Sequence, residues 1–335
     1  MRSNLKLFDQ QMQEMINSPG HLDPQEIFLL ERYTSLEYLG QLRDNWHELL
    51  EFVESRLSQF MQNLPPDYRN RALPEQPDIV WGEQVLPNFR DTFDSLCSGY
   101  IKLSHGDLDG LNSAHGVRSD FKGQLEFSAE WMGEEGVRTY RHLLSQALVR
   151  ASNIISTLGA YWSAGTLSPG YTPEDRGPLD APDTWPGYAL DPSTTARTGQ
   201  PPPRPGIYVP DQSNSSAQFL GQDIDEAPEC SIFLGMQSLY IPGTSEKYGE
   251  EALHQTAPCT WTLVKKVAHQ RKITSLNAPQ DFQRRVASGE LCPEDGYYFT
   301  PAQLNSRRKF KRGETMPSLN SQYGATIWQW DSDQE

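Results

Sequence analysis

Asp23-Pro24-Gln25-Glu26-Ile27-Phe28-Leu29-Leu30-Glu31-Arg32-Tyr33 opens the stretch that decides the fold of the first half of the chain. Asp23 suits an N-cap and Pro24 the first helical position, where a missing N–H costs nothing. Glu26 stands three residues after the cap, where a carboxylate can reach back to it, so a helix starts here. Ile27, Leu30, Tyr33 and Leu36 continue it at spacings of three. Leu39, Leu42, Trp46, Leu49, Leu50, Val53, Leu57, Phe60 and Leu64 carry the same face to Pro65-Pro66, which stops it. Gly40 is the expected division into two helices. Arg43, Asp44, Glu48, Glu51, Glu54 and Arg56 fall on the other face, the pattern of a solvated surface.

The same period predicts a helix over 87–103, with Phe89, Phe93, Leu96, Tyr100 and Leu103 on one stripe, and another over 135–158. The second has a broad apolar face, from Tyr140 through Leu144, Leu148 and Ile154 to Leu158, as a helix at the centre of a bundle requires, and Gly159 supplies its stop. Residues 104–116 between them read as a polar loop. An antiparallel helical domain over 1–165 is the expected product.

The character changes at about residue 165. Eleven of the 25 prolines lie in 165–212, which favours extended and turn backbone over long regular elements. Tyr171, Trp185, Tyr188 and Tyr208 in the same stretch argue that this junction, 166–212, packs along a surface instead of floating free. Beyond it, strands are predicted over 231–241, 259–267 with Trp261, Leu263 and Lys265 alternating, 297–300 and 325–330, punctuated by Gly and Pro. The fold class is therefore α+β: a helical domain, the junction, and a smaller β-rich domain over 213–335, either a twisted antiparallel sheet or an SH3-like barrel.

At 335 residues the chain is long enough for two ordinary domains, each with a core that needs no disulfide or metal. No apolar run approaches the ~20 residues of a membrane-spanning helix, and residues 1–17 lack the continuous apolar stretch of a signal peptide. A cytoplasmic location is expected, away from any membrane. Cys97, Cys230, Cys259 and Cys292 are scattered, with no C-x-x-C pair, and read as free thiols buried in a core.

The net charge of -15 disfavours a nucleic-acid backbone as partner and speeds the approach of a basic protein. Residues 166–264 are the most acidic part, with four Lys and Arg against thirteen Asp and Glu, whereas 265–312 carries eleven against four. Within the acidic part, Asp223, Asp225, Glu226 and Glu229 form the densest cluster, directly ahead of an apolar strand. Read plainly this is a solvated loop. On a protein that covers the basic active site of another, it would imitate phosphates, and these four residues are the candidate contacts.

Other constellations carry less. His105-Gly106-Asp107-Leu108-Asp109-Gly110 offers ligand types suited to a metal but lacks the remaining spaced oxygens of a calcium loop, so a turn closed by Asp side chains is the better reading. Arg307-Arg308-Lys309-Phe310-Lys311-Arg312 has the basic and aromatic mix of a phosphate-binding strand in an otherwise acidic chain; a solvated strand, or contact with the acidic helical half, fits better. No nucleophile elbow, P-loop, zinc-protease or dinucleotide motif is present, so no catalytic, cofactor-binding or metal residue is assigned.

The wording of several segments resembles bacterial immunity proteins of polymorphic-toxin and type VI secretion systems, of the immunity protein 71 plus immunity protein 72 type. In the first half these are Pro77-Asp78-Ile79-Val80-Trp81-Gly82-Glu83-Gln84-Val85-Leu86-Pro87, Ser104-His105-Gly106-Asp107-Leu108, Phe127-Ser128-Ala129-Glu130-Trp131-Met132 and the run from Ala151 to Trp162. In the second half they are Gly206-Ile207-Tyr208-Val209-Pro210, Gly296-Tyr297-Tyr298-Phe299-Thr300-Pro301-Ala302, Ser306 to Pro317, and Tyr323 to Asp331. The resemblance implies a non-enzymatic protein that neutralises a cognate secreted toxin by stoichiometric binding. The acidity suggests a nuclease acting in the cytoplasm as the toxin. The alternatives are an adaptor that loads an effector onto secretion machinery, and an enzyme of unassigned chemistry.

Overall fold

In the computed structural model the described residues are 22–182, 184–267, 285–300, 306–318 and 326–331. Helices fill the first half and antiparallel sheets the second, giving a mixed α+β layout. The residues divide into two compact units, 1–269 and 270–335.

The first unit begins with α1 (Pro24–Tyr33). Asp23 caps it, its carboxylate accepting from the N–H groups of Gln25 and Glu26. Glu26 does not turn back to complete the cap. It is buried, and its carboxyl group meets Ser216 Oγ and the backbone N–H of Ala217, the latter at 3.2 Å. The break before α2 (Leu36–Gln62) falls at Thr34-Ser35, where Ser35 Oγ accepts from the N–H of Tyr38, and not at Gly40. Gly40 stays helical because its bare Cα faces the ring of Tyr100, which a Cβ would approach to 3.1 Å.

A helical turn over Pro77–Val80 and a π turn over Trp81–Val85 lead into α3 (Leu86–Ser104). The expected polar loop after α3 is instead ordered into a 3-10 turn, Leu108–Ser113, and α4 (Ala114–Gln124). Two glycines make this possible: a Cβ on Gly99 would come within 2.4 Å of the carbonyl oxygen of Gly110, and one on Gly110 within 2.2 Å of that of Gly99. Leu111 is thereby fully buried against α3. Next comes α5 (Gly133–Leu158), which presents Tyr140, Leu143, Leu144, Ala147, Ala151, Ile154 and Ile155 to the centre. Trp46 and Trp81 sit there too, their ring N–H groups donating to the carbonyls of Phe89 and Ser128.

The proline-rich stretch holds more regular structure than its composition suggests. After α6 (Pro173–Arg176) come β1 (Gly187–Arg197) and β2 (Gly206–Pro210). With β3 (Gln218–Leu220) and β6 (Thr260–Val267) they build an antiparallel sheet of order β1-β6-β2-β3. Pro186 and Pro205 immediately precede β1 and β2, Pro210 ends β2, and Pro192 lies where β1 bulges between Asp191 and Thr195, positions at which a missing N–H is tolerated. Lys265 Nζ ion-pairs with Asp191 at that bulge, at 2.6 Å, and holds its carboxyl well below the usual carboxylate range.

One face of this sheet is part of the helical core. Ile207, Val209, Ala217 and Phe219 belong to the same buried cluster as Ile27, Trp46 and Ile154. Each side chain of that size contributes about 1.5–3 kcal/mol on burial. Where the sequence puts boundaries at 165/166 and 212/213, the two compact units divide at 269/270, and residues 166–212 lie inside the first. Trp185 packs edge-on to Phe28 of α1, centroids 5.5 Å apart. The opposite face, with Tyr208, Leu220, Trp261 and Leu263, closes a second cluster that includes Ala227, Cys230 and Cys259. Burial pushes the Cys259 thiol up to about 12. All four cysteines are free; Cys97 is only half-buried.

The second unit, described by itself, is a sheet of order β7-β10-β8-β9 from β7 (Arg285–Ala287), β8 (Gly296–Phe299), β9 (Arg308–Phe310) and β10 (Ile327–Trp330). Val286, Cys292, Tyr298, Phe310, Met316 and Trp328 form its own core. Among the described residues both four-stranded sheets are open, not closed into a barrel.

The buried Glu26 gives the fold a pH dependence. Burial, with the nearby charge of Asp23, raises its carboxyl from an ordinary 4.5 to about 8. The folded state therefore holds a proton that the unfolded chain has released between those values, so this stabilisation is complete below ~4.5 and is lost as pH rises towards ~8. Glu26→Gln keeps the shape, donates to Ser216 and accepts from Ala217. Urea unfolding at pH 5 and pH 8 should show a smaller drop in stability for this variant than for the native chain; equal drops would mean Glu26 does not titrate as placed.

Candidate protein-binding surface

The two strands between β3 and β6 belong to neither four-stranded sheet. β4 (Cys230–Tyr240) and β5 (Lys247–Ala257) form a two-stranded sheet of their own, an antiparallel arm whose base is Cys230 opposite Ala257. Cys230 is buried in the second cluster and Ile232 packs against it, which roots the arm. At the root, the outer edge of β4 is also paired: Ser215 bridges Ile232, and the N–H of Phe233 donates to the carbonyl of Asn214 at 2.8 Å.

Beyond Phe233 this support ends. Leu234 bulges out and Gly235 takes φ +134°, a conformation that a side chain would strain. From there the arm carries large apolar residues into solvent: Leu234 is 56% exposed, Met236 46%, Tyr240 53%, Tyr248 64% and Leu253 40%. Register places Phe233 and Met236 opposite His254 and Ala252, on one face of the arm, with Gly235 and Leu253 on the other. An isolated two-stranded hairpin is at best marginally stable in water, and clustered exposed apolar side chains rimmed by charge mark an interaction surface.

The sequence predicts β4 as an apolar strand but does not show that it stands in solvent, because a continuous apolar run is the usual mark of burial. It passes over β5, where Glu246, Lys247, Gly249, Glu250 and Glu251 break the apolar alternation. The available signal is the pair of equal-length strands around the turn at Pro242-Gly243, where the N–H of Ile241 donates to the carbonyl of Glu246 at 2.9 Å.

The four candidate acids lie in the loop that enters the arm. Asp225, Glu226 and Glu229 are exposed, while Asp223 accepts from Asn112 Nδ2 at 3.1 Å. The loop is held in place. Ala227 is buried and exchanges backbone hydrogen bonds with Gly199 and Gln200, and the ring N–H of Trp261 donates to the carbonyl of Pro228 at 2.8 Å. From 221 to 257, loop and arm together carry seven acids against one lysine, and that lysine, Lys247, pairs with Glu250.

The other sequence candidates are engaged locally. His105 ends α3, Asp107 accepts from the N–H of Asp109, and Asp109 pairs with Lys102 at 2.8 Å. Among the described residues no three His, Cys, Asp or Glu side chains converge as a metal site would require. In the second unit Arg307 pairs with Asp331 at 2.5 Å and lies over the ring of Tyr297, while Arg308 lies over Phe310 and Trp328. A cleft of about 490 Å³ between α1, α2 and α5 is lined by Arg32, Arg150 and Arg176, but Asp180 holds Arg32 at 2.7 Å and Arg176 lies over Trp162. No described helix is long and apolar enough to cross a membrane. No family model, no curated protein and no solved structure matches the chain.

The arm beyond its root adds little to the core, so removing it should leave the fold intact. Replacing residues 237–251 by Asn-Gly, a turn suited to the register Met236 opposite Ala252, should change the thermal midpoint by no more than ~2 °C. A collapse of the midpoint in differential scanning calorimetry would show that the arm is structural.

Proposed function

We propose that the protein works by binding another protein: it is an immunity protein that neutralises a cognate secreted antibacterial toxin in a stoichiometric complex, without turnover. The observation that carries this reading is the apolar arm standing on a fixed acidic loop, a combination that has no role in the core and suits a basic partner. The resemblance of segments in both halves to type VI immunity proteins points the same way. A nuclease acting in the cytoplasm is the proposed target, because its substrate groove must be basic. Asp223, Asp225, Glu226 and Glu229 are the proposed contacts to that groove.

A neutraliser has to hold its target tightly, with a dissociation constant in the nanomolar range or below, about -12 kcal/mol or stronger. The product of the neighbouring reading frame is the partner to test as that toxin. Titration should give full protection at one equivalent. Protection at strongly substoichiometric amounts, with the toxin chemically altered, would make the protein an enzyme, and binding to secretion components with no protection would make it an adaptor.

The loop acids supply a sharper test. Long-range charge acts mainly on association, and it fades as salt shortens the Debye length to ~8–10 Å. Replacing all four by Asn or Gln should slow association at low salt by about tenfold and flatten its salt dependence, with dissociation changed less. An unchanged rate in stopped-flow mixing would remove this loop from the interface.

A further inference from the structure

The two long edges of the arm differ in a way that the proposed function leaves open. β5 has charges in its outer half, at Lys247, Glu250 and Glu251. Charge is how proteins protect a free strand edge from pairing with another chain. β4 has none: from Ser231 to Ile241 every residue is uncharged, and no proline interrupts it. Among the described residues its outer edge beyond Phe233 is thus an unprotected row of backbone donors and acceptors.

That same edge is already used for pairing at its root. Ser215 bridges Ile232, and Asn214 accepts from the N–H of Phe233; past that point no further pairing of this edge occurs among the described residues. The bulge at Leu234 resets the twist at the point where this pairing stops.

We propose that the partner docks by strand addition: a β-strand of a basic protein pairs with the outer edge of β4 over Leu234–Tyr240, continuing the pairing that Asn214 and Ser215 begin. This rests on the reading of the protein as a binder and specifies how it binds. Backbone hydrogen bonds along the edge hold the strand, and Leu234, Met236 and Tyr240 contact alternate side chains of it. A strand so placed lies ~10 Å from β5, two strand spacings away and about one Debye length, so Glu250 and Glu251 still act on it. The seven acids of the loop and arm select a basic strand and oppose a second copy of this acidic chain.

The probe is the neighbouring-frame toxin, and the readout is amide hydrogen exchange resolved residue by residue in the full-length chain, free and bound. In an antiparallel pair successive residues point alternately towards and away from the partner strand. The amides of 234–240 that face away from β5 should therefore exchange at least tenfold more slowly in the complex, in an alternating pattern. Gln237→Pro and Ser238→Pro form a matched pair, since one removes an outward N–H and the other an inward one. The outward variant should retain slow exchange in β5, showing an intact arm, and lose toxin affinity at least tenfold.

If the toxin binds and neutralises but the β4 edge stays unprotected, or protection falls on β5 alone, strand addition is wrong and the immunity reading stands. If the free chain is a dimer with β4 already protected, the edge pairs with its own copy and the proposal falls. If the toxin does not bind at all, the immunity reading fails first and strand addition with it.

Discussion

The first compact unit depends on joining a sheet to a helical layer through groups that have no water to fall back on. Where α5 ends, Gln218 of β3 clamps the backbone of Trp162 in both directions: its Nε2 donates to the Trp162 carbonyl at 2.6 Å, and its Oε1 accepts from the Trp162 N–H at 3.2 Å. Glu26 of α1 grips the adjacent Ser216 and Ala217. Both contacts are buried, so losing either partner strands a desolvated polar group, at a cost of about 1–3 kcal/mol. They also fix the register of β3, and through the order β1-β6-β2-β3 the register of the strands from which the arm departs.

The helices are legible in the sequence because their information is local. Asp23 and Pro24 mark the first start, and the apolar stripe through Leu39, Trp46 and Val53 needs only a 3.6 period to be seen. Glu26 misleads because its type and spacing satisfy a local rule, while its actual partners lie some 190 residues further along. The 3-10 turn after α3 is hidden for a related reason: the contact of Gly99 with Gly110 leaves no trace in composition beyond one glycine in a helix and another in a polar stretch.

The sheet is only partly legible. β6 shows itself through Trp261 and Leu263, and β4 through its apolar run. β1 and β2 lie among prolines, and what makes them strands is the apolar surface of α1 and α5 waiting for Ile207 and Val209. The acidic loop is visible as a charge cluster; that Ala227 and Pro228 pin it is not. Of the arm, only the apolar strand β4 is visible; that it stands in solvent is not.

The two ends of the arm lie together, because Cys230 pairs with Ala257 three residues before β6 begins. It is an excursion with joined ends, and among the described residues its outer part pairs with no other strand. Substitutions there escape the packing constraints that hold Trp46 or Phe219 in place. The scaffold can keep its shape while the arm is rewritten, so in a lineage carrying this fold the arm can change at the rate of surface drift.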